Sequence, residues 1–284
     1  MTAEARTTAQ PVAELTPQNY RFLQEHLYRE SGIVLDGDKN YLLECRLIPL
    51  AAQRGLSSLN DLCSVLQKNS ADRLHREVVE AMTTNETSFF RDPAFWQVLK
   101  TTILPELMEQ RKHSRRLRFW SAACSTGQEA YSLSIQLQEM GLDGWDIQIL
   151  GTDLSRKVLD RATEARFSQL EIGRGLPTPF LLKYFERAGL QWKLKDIVRR
   201  RVRFEPLDLR SSLTNFGPFD FVFCRNVLIY FDVPTKQKIL RNLRGTILRG
   251  GHLVLGSAET TITLNVESLF ERRKIDLATF YRVA

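Results

Sequence analysis

Residues 117–140 constrain the fold of this 284-residue chain more than any other stretch. The stretch opens with a β-prone segment, continues through small residues that end at Gly127, and then carries apolar side chains at helical spacing. This order predicts a strand, a tight loop and a helix. At such a junction the backbone can approach a ligand closely, and the first N–H groups of the helix point toward polar ligand atoms.

Composition narrows the class of protein. The chain is 43% hydrophobic and 26% charged, and no apolar run approaches the ~18 residues that a membrane span needs. Residues 1–12 lack the pattern of a secretion signal, and the four cysteines and four histidines lack metal-ligand spacing. We therefore expect a cytoplasmic protein without membrane insertion and without a metal site. The net charge of +7 predicts an acidic partner, which could be nucleic acid, anionic lipid or an acidic protein surface.

Periodicity divides the chain into four parts: a disordered tail (1–14), a helical domain (15–86), a linker with a helix (87–115) and an α/β domain (116–284). Strands and helices alternate in the last part, with predicted strands at 117–120, 145–150, 202–209, 219–226 and 252–257 and a final antiparallel pair at 270–274 and 279–283.

The alternation is interrupted at residues 166–203, which predicts an inserted subdomain. Within it we predict a helix at 180–187 and a strand at 191–195. After it, a helix at 234–248 is predicted to be closed by Gly250 and Gly251.

Polar residues follow several of the predicted strands, namely Asp153, Asp208, Arg225 and Asn226. In an open α/β sheet the carboxyl ends of the strands form the ligand site. Asp153 follows Gly127 by 26 residues, close to the interval at which an acidic side chain meets ribose hydroxyls. Because the loop lacks both the G-x-G-x-x-G glycines and a Walker lysine, an adenosine without phosphates is the natural candidate.

A second unusual segment, residues 83–93, places hydroxyls, an amide, two phenylalanines and an arginine between two predicted helices. An ordinary helix cap with an aromatic staple explains part of it. The density of polar groups predicts a binding segment as well.

The chain resembles the chemotaxis receptor glutamate methyltransferases, the CheR family, over about residues 15–283. Four stretches in the family's order carry the resemblance: TTNETSFFR (83–91), WSAACSTGQE (120–129), GTDLS (151–155) and FCRNVLIYFD (223–232). The resemblance implies a helical domain followed by a Rossmann-like α/β domain with a small antiparallel β-subdomain near 166–203. It also implies S-adenosylmethionine as cofactor, with S-adenosylhomocysteine as product.

Matched position by position, the family's cofactor contacts resemble Asn85, Thr87, Arg91, Glu129, Asp153, Asp208, Leu209, Arg225 and Asn226, and its catalytic pair resembles Arg91 and Tyr230.

The resemblance implies that Asp153 binds the ribose, Glu129 the ammonium group and Asp208 the adenine, with Leu209 as an apolar wall. Each has an ordinary structural alternative: a helix cap for Asp153, a dipole partner for Glu129, a turn residue for Asp208 and core packing for Leu209 and Tyr230.

The chain departs from the family pattern at two positions. Gln128 replaces an acid and removes one charge while Glu129 is retained, and Ala130 replaces a proline, which should loosen the first turn of the helix slightly.

The implied reaction forms γ-glutamyl methyl esters on methyl-accepting chemotaxis receptors, which places the enzyme at receptor arrays. Acidic receptor helices would dock on basic residues of the helical domain, with Arg46, Arg54, Arg73 and Arg76 as candidates. The short segment 187–191 favours an enzyme that needs no receptor pentapeptide. Two alternatives stay open: a nucleic-acid methyltransferase, which the basic charge favours, and a catalytically silent cofactor-binding module, which Gln128 favours.

Overall fold

The computed structural model describes residues 14–35, 37, 39–68 and 73–284, so residues 1–13 of the predicted tail lie outside the described residues. The chain divides into two compact units, Met1–Thr83 and Thr84–Ala284. Among the described residues, no helix combines the length and the apolar character required to cross a bilayer.

Helices make up the regular structure described in the first unit. Thr16 caps the first helix, because its Oγ1 accepts a hydrogen bond from the N–H of Asn19 at 3.3 Å. Gly32 ends that helix with a φ of 75°, a left-handed conformation that glycine adopts without strain. Buried leucines occur on each of the four helices α1 (Pro17–Ser31), α2 (Asn40–Gln53), α3 (Leu59–Lys68) and α4 (Arg73–Met82).

The helix of the predicted linker (87–115) begins at Pro93 and is interrupted by a wider turn. It consists of α5 (Pro93–Val98), a π-helical turn (Leu99–Ile103) and α6 (Leu104–Gln110). Pro105 lacks an N–H group, and in a regular α-helix its ring would crowd the carbonyl of Thr101. The π-turn widens the helix where the proline would otherwise break it.

The strands of the second unit are β1 (Arg116–Ala122), β2 (Asp146–Asp153), β3 (Arg166–Ser168), β4 (Phe185–Ala188), β5 (Gln191–Leu194), β6 (Val202–Pro206), β7 (Phe219–Cys224), β8 (Ile247–Leu255), β9 (Glu271–Ile275) and β10 (Ala278–Arg282). Its remaining helices are α7 (Gln128–Glu139), α8 (Arg156–Glu164), α9 (Gln169–Gly173), α10 (Thr178–Tyr184), α11 (Asp196–Arg199) and α12 (Val233–Thr246), with 3₁₀ turns at Leu228–Tyr230 and Glu267–Leu269.

Seven of these strands form one sheet in the order β6-β2-β1-β7-β8-β10-β9. The pairs from β6 to β8 are parallel, and the last two pairs are antiparallel. Both faces are covered, because Phe119 and Phe223 enter one buried cluster while Trp120 and Val222 enter another. The carboxyl ends of β6, β2, β1 and β7 therefore lie side by side.

The other three strands form a small antiparallel sheet in the order β3-β5-β4, between α8 and β6 along the chain. The predicted fold class is confirmed: an all-helical unit precedes an α/β unit that carries a small antiparallel sheet.

Two boundary predictions were wrong. The helix predicted at 180–187 ends at Tyr184, and Phe185 begins β4, where it pairs with the buried Leu194. The helix predicted at 234–248 ends at Thr246, and both Gly250 and Gly251 lie inside β8. In both cases strand pairing overrides the local pattern, within a hairpin at Phe185 and with strands distant in sequence at β8.

Candidate active site

The loop between β1 and α7 has an alternating left-handed backbone. Ala123, Ser125 and Gly127 have φ values of 60°, 50° and 89°. At Gly127 a Cβ atom would lie 3.0 Å from Phe204 Cζ and 3.1 Å from Tyr131 Cε2, so the position suits glycine in both conformation and space. The loop is thus a tightly specified turn, as the sequence predicts.

Asp153 joins this loop to the end of β2. Its carboxylate accepts hydrogen bonds from the N–H of Ser125 at 2.9 Å and from the N–H of Ser155 at 3.0 Å. The residue is 8% exposed. Because a carboxylate oxygen can accept more than one hydrogen bond, a role of Asp153 in holding the loop is compatible with binding ligand hydroxyls.

Glu129 and Arg225 form a buried ion pair at the start of α7. Glu129 accepts from Ser121 Oγ at 2.7 Å, and its other oxygen lies 3.2 Å from Arg225 Nη1. The Arg225 side chain is 3% exposed, pairs also with Asp92, and lies with its guanidinium carbon 4.6 Å from the centre of the Phe95 ring. Burial raises the pKa of Glu129, and the charge of Arg225 opposes that rise.

The predicted binding segment lies against the loop after β1. The carbonyl of Asn85 accepts a hydrogen bond from Ser125 Oγ at 2.8 Å, and the N–H of Phe90 donates to Ser132 Oγ on α7 at 2.9 Å. Thr87 lies between these two attachments and is half-buried. The segment is therefore held at both ends to the strand–loop–helix unit.

Arg91 occupies a sharp bend at the end of this segment. Its neighbours Phe90 and Asp92 have φ values of 48° and 62°, which are uncommon for residues other than glycine. The bend is fixed by the Arg91 carbonyl, which accepts from Trp96 Nε1 at 3.0 Å and from Arg225 Nη2 at 3.3 Å. The arginine implied to be catalytic thus shares a hydrogen-bonded network with the buried one.

The small antiparallel sheet packs against the same segment. The ring of Phe89 makes edge contacts with Phe167 of β3 and Phe185 of β4, at centroid distances of 5.0 and 5.6 Å. A Cβ atom on Gly175 would lie 2.1 Å from the carbonyl oxygen of Phe89, so only glycine fits there. The binding segment and the inserted sheet therefore form one packed structure.

The end of β6 lies beside Asp153, whose carbonyl accepts from the N–H of Leu207 at 3.0 Å. The Asp208 carboxylate accepts from both Nε and Nη2 of Arg210, at 3.0 and 2.7 Å. Leu209 is buried in the cluster that contains Trp120. Both residues thus have structural partners of their own, and their contacts with a cofactor stay predictions.

The segment after β7 depends on a residue that the sequence analysis missed. Asn226 has a φ of 59°, and Tyr230 ends the 3₁₀ turn that follows. Backbone N–H groups from Asn226 to Ile229 converge on the carboxylate of Glu259, at 2.7 to 3.3 Å. Glu259 follows β8 as Asp153 ends β2, so the same search for acids at strand ends could have found it.

Comparison with known protein families gives a match for each of the two parts of the chain. Residues 85–277 match the family described as CheR methyltransferase, SAM binding domain. Residues 18–83 match the companion description, CheR methyltransferase, all-alpha domain. The chain belongs to the CheR methyltransferase family.

Curated CheR relatives match over most of their length. Chemotaxis protein methyltransferase 1 of Pseudomonas aeruginosa is 42% identical over 247 residues, covering 85% of this chain and 89% of that protein. Chemotaxis protein methyltransferase Cher2 of Pseudomonas putida is 41% identical over 249 residues, covering 85% and 90%. Chemotaxis protein methyltransferase 1 of Vibrio cholerae is 39% identical over 252 residues, covering 87% and 90%.

S-adenosylmethionine is the cofactor of this CheR chain, as the sequence predicts, and the residues at the site fit it. The carboxylates of Asp92, Glu129 and Asp153 disfavour a phosphorylated ligand and favour one that carries ammonium and sulfonium charges. Arg225 has a buried Nε without a hydrogen-bond partner among the described residues. The roles of individual residues toward the cofactor stay predictions.

Proposed function

We propose that this CheR protein methylates side-chain carboxylates of glutamates on the cytoplasmic helices of methyl-accepting chemotaxis receptors. The proposal is carried by the attachment of Asn85 to Ser125 at 2.8 Å, which puts the segment ending in Arg91 against the cofactor loop. Burial raises the pKa of Glu129, and the charge of Arg91, together with that of Arg225, opposes that rise. An arginine at the cofactor end of the site suits an anionic acceptor.

The proposed reaction requires the protein mainly to position the acceptor and the cofactor. S-adenosylmethionine, when bound, supplies a methyl group on a sulfonium sulfur. A glutamate side chain has an ordinary pKa of about 4.3, so the acceptor is ionised at neutral pH and no general base is needed. A carboxylate oxygen forms the new O–C bond as the S–C bond breaks, and no proton moves. Arg91 orients the acceptor and Tyr230 borders the reacting carbon, which is catalysis by proximity.

The test uses the purified chain, methyl-labelled cofactor, receptor-containing membranes and RNA. We expect label in the receptor band that alkali releases as methanol, since methyl esters hydrolyse readily. Alkali-stable label in RNA would establish the nucleic-acid methyltransferase instead. Absence of transfer with intact cofactor binding would establish the silent module.

The proposed partner surface is the first unit, with the enzyme at receptor arrays in the cytoplasm. Of the four candidate residues, Arg54 and Arg73 both pair with Glu77, and Arg46 donates to the carbonyl of Met82 at 2.6 Å. Arg76 is exposed. We propose that Arg76 contributes most to the attraction of acidic receptor helices, because the other three arginines form ion pairs or hydrogen bonds within the unit.

Independence from a receptor pentapeptide is part of the same proposal. The turn between β4 and β5 consists of Gly189 and Leu190 alone, with Gly189 at a φ of 64°. A hairpin this short leaves little loop to enclose a peptide.

A further inference from the structure

We infer that Glu259 is the positioning residue that fixes the segment from Asn226 to Tyr230 for methyl transfer. The inference rests on the proposed function, because it concerns the same site and the same reaction.

The carboxylate of Glu259 occupies a site formed by backbone N–H groups, as a bound anion would. Oε2 accepts from the N–H of Gly256 at 2.6 Å and of Asn226 at 2.7 Å. Oε1 accepts from the N–H of Val227 at 2.9 Å, of Leu228 at 2.7 Å and of Ile229 at 3.3 Å. Five backbone donors thus converge on one half-buried carboxylate.

The convergence follows from the backbone. The left-handed Asn226 and the 3₁₀ turn that follows it point consecutive N–H groups in one direction, an arrangement that binds anions. The first N–H groups of a helical turn have no carbonyl partner within it. Glu259 supplies that partner from a neighbouring strand end, so the conformation of the segment depends on it.

Gly256 provides an independent sign that the two strand ends are fitted to each other. A Cβ atom there would lie 2.7 Å from Asn226 Nδ2 and 2.7 Å from Glu259 Oε2. Only glycine leaves room for the end of β7 to approach the end of β8 this closely.

A carboxylate is required because every group that faces it is a donor. A glutamine keeps the shape, but its NH₂ group would face at least two N–H groups in place of an acceptor. An aspartate keeps the charge, but it is one methylene shorter and reaches fewer donors. Arg225, just before the segment, is already fixed by Glu129 and Asp92, so Glu259 completes the restraint on the chain that leads to Tyr230.

The experiment compares Glu259→Gln, Glu259→Asp and Gly256→Ala with a matched control, Glu267→Gln, at an exposed position in another 3₁₀ turn. Four quantities are measured on the full chain: hydrogen exchange of amides 226–229 and of those in α7, S-adenosylhomocysteine affinity, kcat and KM on receptor membranes, and the thermal unfolding midpoint. For Glu259→Gln and Gly256→Ala we expect faster exchange confined to 226–229 and a loss of kcat of about 100-fold, with KM little changed. Glu259→Asp should recover part of kcat.

Two results would overturn the inference. One is wild-type exchange and kcat in Glu259→Gln; the other is exchange that rises equally across α7, which would make the residue a general stabiliser. Exchange and S-adenosylhomocysteine affinity need no receptor, so they decide the role of Glu259 in the segment even if the wild-type chain fails to methylate receptors. That failure would remove the proposed function alone.

Discussion

At the scale of single residues, the site separates restraint from chemistry. Asp153, Glu129 and Glu259 accept hydrogen bonds within the protein, and Arg225 is held between two carboxylates. Arg91 has weaker restraint on its side chain, a 3.4 Å bond from Nη1 to the Glu86 carbonyl. Arg91, which is proposed to orient the acceptor, is thus less firmly held than the residues that shape the site.

Replacing Arg91 by alanine or Tyr230 by phenylalanine should lower kcat by about 10-fold to 100-fold, because each positions a reacting group. The affinity for S-adenosylhomocysteine should change much less. Steady-state kinetics and calorimetry measure the two effects, with Arg203→Ala at an exposed position as control. Wild-type kcat in either variant would refute the role assigned to that residue.

His252 should make stability depend on pH. Burial, and then the charge of Arg273, lowers its pKa from 6.5 to about 4, with Glu106 opposing. Between about pH 6.5 and pH 4, His252 is protonated in the unfolded chain but not in the folded chain. The free energy of unfolding therefore falls as the pH drops toward 4. The loss attributable to His252 is about 3 kcal/mol at most.

Urea unfolding of the wild type and of His252→Gln, from about pH 7 to pH 5, measures this contribution. The variant should lose stability less steeply than the wild type. Parallel pH profiles would show that His252 does not carry it.

At the scale of elements, local patterns predict the strand–loop–helix unit because its glycine and its periodic helix act within a few residues. They fail at Phe185, where pairing within the β4–β5 hairpin decides the structure, and at Gly250, where pairing of β8 with a strand distant in sequence does so. They also fail at Glu259, whose partners lie 30 to 33 residues away along the chain except for Gly256. The loop and Asp153 predict an adenosine without phosphates, and the resemblance to the CheR family predicts S-adenosylmethionine. The contacts that hold the neighbouring segments were not predictable in this way.

Gly127→Ala and Gly141→Ala separate backbone strain from lost space. Both positions have positive φ, 89° and 69°, but a Cβ on Gly141 meets nothing within 4 Å. Gly141→Ala should cost about 1 kcal/mol of strain, and Gly127→Ala about 1–3 kcal/mol more from crowding against Phe204 and Tyr131. Only Gly127→Ala should weaken S-adenosylhomocysteine binding; urea unfolding and calorimetry measure both effects, and equal losses would contradict the crowding.

At the scale of the whole molecule, the sequence predicts both units and the class of fold, because helical periodicity and alternating strands recur over long stretches. The charge of +7 indicates only an acidic partner, and the proposed function narrows that partner to receptor helices. Arg54, Arg73 and Arg76 are all exposed, and Arg54 and Arg73 share an ion pair with Glu77, so we give priority to Arg76 among the candidates.

Receptor methylation should therefore slow as salt rises, because attraction between exposed charges is screened over about 10 Å at 0.1 M ionic strength. Arg76→Glu should reduce kcat/KM and flatten the salt dependence. Arg272→Glu, an equal charge reversal on an exposed residue of the second unit, is the matched control. Identical salt curves for the two variants would exclude a specific role for Arg76.

The packing of Phe89 on Phe167 and Phe185 bears on how this enzyme could be rebuilt. The inserted sheet packs against the segment that ends at Arg91, and Gly175 lies in close contact with that segment. Deletion of residues 166–203, or their replacement by a different insertion, would remove the packing contacts that support the segment ending at Arg91. An engineer who alters the insertion must therefore keep the surface that carries Phe167 and Phe185 and restrict the changes to the opposite surface.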